Sequence, residues 1–151
     1  MMEKKPLKRD KALRPLSVDH HHGLLLSWKI RTGLSKQVEP IRIINYVQWF
    51  FENHLRPHFD LEENYVFPVL GGEDELVKKA LADHQKIESL SRSGDAATLS
   101  QLADELEAHI RFEERIVFEK IQSVATQSQL QQIENIHQDH VFVENEDQFW
   151  K

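Results

Sequence analysis

Apolar residues recur every three or four positions along four stretches of this chain, and Gly, Pro or Ser breaks separate the stretches. Ile44, Val47, Phe51 and Leu55 form one such stripe, and Leu99, Leu102, Leu106, Ile110, Val117 and Ile121 form another. This is the period of a helix with one face turned to a core. No stretch alternates apolar and polar residues as a half-buried strand does. The first helix is expected from an N-cap at Ser17, with Asp19 in the first turn, to about Thr32, where Gly33 ends it. The second opens at Glu39-Pro40, with proline at a tolerated first position, and runs through His58 and Glu62 to about Tyr65. Pro57 lies inside it and predicts a kink, because a backbone donor is lost there. The third starts near Glu73-Asp74-Glu75, turns Leu76, Val77, Ala80, Leu81, His84 and Ile87 inward, and stops at Ser93-Gly94. The fourth opens near Thr98. After a break over Thr126 to Ser128, Leu130, Ile133, Ile136 and Phe142 predict a fifth, amphipathic helix from Gln129 to Lys151.

Four long helices with short connections predict an all-α fold, an antiparallel up-down four-helix bundle with an additional C-terminal helix. The expected organisation is an irregular lead-in over 1–15, the bundle over 16–125, and an amphipathic helix over 126–151 packing on it.

Composition narrows the function. The chain has 151 residues and a net charge of −6, and its one basic run, Lys4-Lys5-Pro6-Leu7-Lys8-Arg9, has the character of a solvated tail. Nucleic acid is not an expected partner. No run of about 18 apolar residues occurs, so no membrane span is expected, and without a signal-peptide core the expected location is cytoplasmic. There is no cysteine, which excludes disulfides, thiolate metal sites and cysteine nucleophiles. The nine histidines are the compositional oddity.

Two of them begin the same local pattern. His58 precedes Glu62, and His109 precedes Glu113, each by four residues, so each pair stacks one turn apart on a helix face. His58 follows Phe51 and Leu55, and His109 follows Leu102 and Leu106, each at helical spacing, so both pairs face inward. An inward glutamate is costly unless its charge is compensated. A lone inward histidine is most simply a hydrogen-bonded core residue. Two His/Glu pairs on apolar faces of alternate helices instead invite a cation.

His84, between Leu81 and Ile87, faces inward on the third helix. On the first, Leu24, Leu25 and Trp28 mark the apolar stripe, and at about 100° per residue His21 projects onto its middle. His20 falls at the stripe's edge and His22 points away, which assigns both to capping or exposure. The expected metal ligands are therefore His21, His58, Glu62, His84, His109 and Glu113. Four imidazoles and two carboxylates exceed the needs of one tetrahedral zinc and suit two ions bridged by the glutamates. Nitrogen and oxygen donors without sulfur favour iron, with manganese or zinc as alternatives. His54, one turn before His58, is expected in an outer role, and Glu88 either as a further ligand or as an exposed carboxylate. Trp28 and Trp49 are expected in or near the core, and His137 and His140 at the surface or in packing.

Taken in order, Leu16-Ser17 with Asp19-His20-His21, His58-Phe59 with Glu62-Glu63, Phe67-Pro68-Val69-Leu70, Asp83-His84, and His109-Ile110 with Glu113-Glu114 resemble the hemerythrin-like, or HHE cation-binding, family over roughly Leu16 to Ile121. The resemblance implies a bundle around a non-haem di-iron centre, with Glu62 and Glu113 as bridging carboxylates and the four histidines as terminal ligands. It further implies a protein that binds or senses O2, NO or peroxide, or holds iron. The alternative is a di-iron enzyme acting on nitric oxide or peroxide, or an iron donor in cluster repair, and binding is preferred over catalysis. Two departures matter. Oxygen-carrying relatives place a second histidine where this chain has Glu88, which argues against plain oxygen transport. Where relatives have Phe-Pro after the fourth-helix glutamate, this chain has Phe118-Glu119. Oligomeric state is left open.

Overall fold

The computed structural model describes residues 8–136 and 142–151, and every regular element among them is helical. The helices are α1 (Arg14–Ser35), α2 (Pro40–Phe50), α3 (Arg56–Leu61), α4 (Glu75–Arg92), α5 (Leu99–Phe112), α6 (Phe118–Val124) and α7 (Gln127–Ile136). They join into four long rods. The second rod is α2 and α3 linked through a π turn, Phe51–Leu55, and extended by another, Glu62–Val66. The fourth is α5 and α6 linked through a π turn, Glu113–Val117. The first and third rods are α1 and α4. α1 packs on α2 and α5, and α4 also packs on α2 and α5, so each rod has two neighbours.

Several local expectations are corrected. α1 begins at Arg14, not after Ser17, with Pro15 in its first turn. Ala12 and Leu13, expected in an irregular lead-in, are buried in the core. Gly33 is not the cap. The residue with positive φ is Gln37, and the Val38 N–H reaches back to the Gly33 carbonyl at 3.0 Å, closing the helix as a left-handed cap does. Gly33 is needed for another reason, since a Cβ there would lie 2.7 Å from the Phe149 ring. Just before Pro57, where a kink is expected, the helical backbone changes to a π turn. That turn carries the Arg56 N–H to the Phe51 carbonyl, a wider loop that eases the proline ring past the preceding turn. Asp74 caps α4 as the acidic start predicts, its side chain accepting from the Leu76 and Val77 amides. Trp28 is 53% exposed rather than in the core, whereas Trp49 is partly buried against it.

The largest correction is at the C-terminus. α7 supplies Leu130 and Ile133 to the core, but the helix does not run to Lys151. Residues 142–151 form an irregular strap, with the Asp147 amide bonded to the Asn145 side chain in an Asx turn. Phe149 and Trp150 at its end are buried. His137 and His140 lie outside the described residues.

The strap is tied down by Glu144, which accepts from Lys29 Nζ at 2.7 Å and from the Tyr46 hydroxyl. Burial works against the Glu144 charge, but these two donors more than offset it and hold the carboxyl below its usual range. A carboxylate depressed in the folded state contributes stability above its unfolded pKa, and that contribution is lost as pH falls through the folded value. Trp150 fluorescence should therefore report strap release below the ordinary carboxylate range. In Glu144→Gln this acid step should vanish, and its persistence there would assign the step to another group.

Two apolar clusters divide the interior. One gathers Leu26, Ile30, Phe50, Leu102, Leu106 and the strap's Phe149. The other gathers Leu16, Val66, Phe67, Val117, Phe118 and Ile133. His20, His58, Glu62, His84, His109 and Glu113, in neither cluster, are buried as well.

Candidate metal centre

Each rod contributes to this buried polar site. α1 brings His20, α3 brings His58, α4 brings His84 and α5 brings His109, while Glu62 and Glu113 open the π turns that continue the second and fourth rods. In both turns the amide five residues on, of Phe67 and Phe118, bonds the glutamate's own carbonyl. Such single-turn widenings inside α-helices often occur at functional sites. Here both fall on the inward carboxylates.

The six side chains are at most 5% exposed, and both glutamates are fully buried. One ligand atom each from His20, His58, Glu62 and Glu113 lies within 4.8 Å of the others, and the same holds for Glu62, His84, His109 and Glu113. These are two overlapping four-residue groups that share both glutamates. His20 and His58 bring their Nε2 atoms to 3.1 Å of each other. His84 Nε2 stands 3.2 Å from an oxygen of each glutamate, and His109 Nε2 abuts Glu113.

The outer nitrogens explain how the rings are held. Every Nδ1 faces a carboxylate: His58 faces Asp19 at 3.0 Å, His84 Glu63 at 2.8 Å, His109 Asp83 at 2.9 Å and His20 Glu114 at 2.9 Å. An ionised carboxylate only accepts, so Nδ1 carries a proton and donates, and Nε2 is the nitrogen that faces inward, open to a metal once its own proton is displaced. Each of these carboxylates is the chain neighbour of a buried site residue: Asp19 of His20, Glu63 of Glu62, Asp83 of His84 and Glu114 of Glu113. Each also reaches across to the next rod, so the links run first to second, second to third, third to fourth and fourth back to first. Ser17, expected as a cap, instead donates to Glu114. Aromatic faces fix the planes, with Phe59 stacked 3.8 Å from His84 and Phe118 5.2 Å from His20.

The donor set fits metal ions. Both Glu62 oxygens and one Glu113 oxygen are buried without a well-formed hydrogen bond and face imidazole nitrogens, and burying such carboxylates is costly. Burial disfavours the charged form of each imidazole, yet the glutamates outweigh it. They raise His58 to about 9, raise His109, and lift His20 and His84 well above their ordinary value. Burial likewise pushes Glu113 up, but His109, Glu62 and His20 hold it well below the carboxylate range. Protons on the imidazoles thus balance the inner carboxylates, and a cation would displace them.

Of the six expected ligands, His58, Glu62, His84, His109 and Glu113 converge. His21 does not. It is exposed and rests edge-on against His22, while His20, expected to be exposed or capping, is the buried one. The α1 stripe that turns inward is Leu16, His20, Gly23, Ser27 and Ile30, whose small and polar members hide it from a hydrophobicity count. His20→Ala should lower the amount of metal the chain retains, and His21→Ala should leave it unchanged. Metal analysis after dialysis checks this, and equal loss in both variants would reject the assignment.

Beside the cluster lies a cavity of about 90 Å³. His20, His58 and His109 form part of its wall, and Gly23, Phe59 and Ile110 supply apolar surface. His22 and His54 also line it, so His54 does have an outer place. His22, expected to be exposed, is half-buried and stacks on Phe142. Glu88 pairs with Arg56 and Arg92, with no place in either buried group. No helix of the described residues is long and apolar enough to cross a membrane. Comparison with protein-family models, curated proteins and solved structures returned no match for this chain.

Proposed function

We propose that this protein is a di-metal, preferentially di-iron, binding protein that takes up a small molecule of the O2, NO or peroxide class, in an antiparallel four-helix bundle of the hemerythrin-like kind. The observation that carries this is the pair of buried four-residue groups sharing Glu62 and Glu113, which matches two ions bridged by carboxylates. The cyclic packing of four rods supports the bundle. Sulfur-free imidazole and carboxylate donors favour iron over softer ions, with manganese or zinc as lesser candidates. When bound, iron supplies a redox-active Lewis acid able to hold a small ligand.

The chain's own residues do the rest. His20 and His58 would hold one ion and His84 and His109 the other, with the glutamates between them. Asp19, Glu63, Asp83 and Glu114 orient the imidazoles and increase their basicity. The cavity, walled by histidines and by apolar side chains, has room for a small molecule beside the site.

The test is anaerobic loading with ferrous iron followed by oxygen. About two irons per chain and new near-ultraviolet and visible charge-transfer bands are expected. A chain that retains no iron and gains no bands rejects the proposal. The enzymatic reading finds support in His22 and His54, two proton-bearing side chains in the same cavity. Sustained consumption of nitric oxide or peroxide by the loaded protein would favour it, and a single stoichiometric reaction would favour binding.

A further inference from the structure

We propose that Phe142, clamped in place by Glu144, is the selectivity residue of the cavity and decides the size of molecule that reaches the metal site. This deepens the function proposed above and rests on it for the identity of the inner end. The cavity is lined by His20, His58 and His109 and also by His22, His54 and Phe142. The Phe142 ring stacks on His22 of α1 at 4.2 Å and lies 4.6 Å from His54 of the second rod, so it bridges the gap between two rods. Two residues on, Glu144 accepts from Lys29 of α1 and Tyr46 of α2, fastening the strap to the same two rods. The Lys29 ammonium also lies over the Phe142 ring at 5.7 Å and over the Trp150 ring at 4.2 Å.

Phe142 also packs on Trp49 and Phe50 at the edge of the core, so its ring is held on one side and borders the cavity on the other. Phe149 and Trp150 already anchor the strap in the core, whereas Phe142 is half-buried and borders a void. Gly23 in the same wall lets α1 pack closely on Ile110, because a Cβ there would meet Ile110 Cδ1 at 2.6 Å. At about 10–15 Å³ per water-sized occupant, 90 Å³ has room for roughly six to nine such units, so the cavity itself takes a small molecule and the passage past Phe142 is what sorts by size. Apolar side chains make up the larger part of its wall, which suits small uncharged molecules.

Uncharged isocyanides of graded size test this on the ferrous-loaded full chain. In Phe142→Ala, tert-butyl isocyanide should combine at least about tenfold faster than in the parent, equivalent to a barrier lower by about 1.4 kcal/mol. Nitric oxide should accelerate much less. Glu144→Gln keeps the ring but loosens its clamp, and should speed tert-butyl isocyanide several-fold. Isocyanide rates unchanged in both variants overturn the proposal. A second arm uses the metal-free chain, with xenon exchange into the cavity followed by NMR, where Phe142→Ala and Glu144→Gln should exchange faster than the parent. If no variant binds iron, the metal reading falls while xenon still decides Phe142, and equal xenon exchange in all three overturns its role.

Discussion

Glu113→Gln should abolish stable metal binding, taking the chain from about two ions to well below one. The carboxylate belongs to both four-residue groups, so its loss damages both ion positions at once. A neutral amide offers one weak carbonyl donor where an anion stood, fully buried, with one oxygen lacking a well-formed hydrogen bond. An outer-carboxylate substitution typically costs 10- to 100-fold in affinity, so loss of a shared inner anion should cost at least about 100-fold. Far-ultraviolet circular dichroism serves as the control, since the rods rest on two apolar clusters that this substitution leaves intact. If Glu113→Gln folds and binds metal as the parent does, the two groups do not share that carboxylate. If the inner residues merely paired with one another, the variant would lose stability and have no metal to lose.

Chelation should lower the melting temperature by about 8–16 °C. A ligand bound only by the folded chain stabilises it by about 4 kcal/mol at a concentration a thousandfold above Kd. For a chain of this length, 1 kcal/mol moves the midpoint by about 2–4 °C. The physical source of the gain is the set of buried carboxylate oxygens without well-formed hydrogen bonds, Glu62 Oε1 and Oε2 and Glu113 Oε2, which a cation satisfies. Calorimetry with and without a chelator, followed by readdition of ferrous ion under nitrogen, checks size and reversibility. An unchanged midpoint would mean that the folded chain gains nothing from the ion.

Much of the site was legible because helical spacing and chemistry coincide. His58 with Glu62 and His109 with Glu113 each follow clear apolar stripes, and the structure buries all four. His84 sits between apolar neighbours in the same way. On α1 the method failed for a definable reason. Leu24, Leu25 and Trp28 outweighed Gly23 and Ser27 in hydrophobicity, yet Trp28 faces solvent and the two small residues face the core. Close packing selected small residues there, and a hydrophobic stripe does not record that. The outer carboxylates occur in the sequence only as members of the motif pieces, and spacing alone assigns them no role. Each is an acidic residue directly beside a buried site residue, on every rod. The C-terminal strap was read as helix because its apolar residues fit the spacing, but the Asx turn at Asn145 and the Glu144 clamp are side-chain chemistry that periodicity cannot see.

The four links between histidines and the acidic neighbours of site residues close a circuit around the molecule, and this bears on how the chain comes apart. α1, for example, lends Asp19 to His58 and receives Glu114 at His20. Detaching any one rod therefore severs two of the four links, and no rod is a free end from which peeling can begin. Amide protons flanking His20, His58, His84 and His109 should accordingly share one opening free energy, exchanging through a single concerted event while the helix ends fray independently.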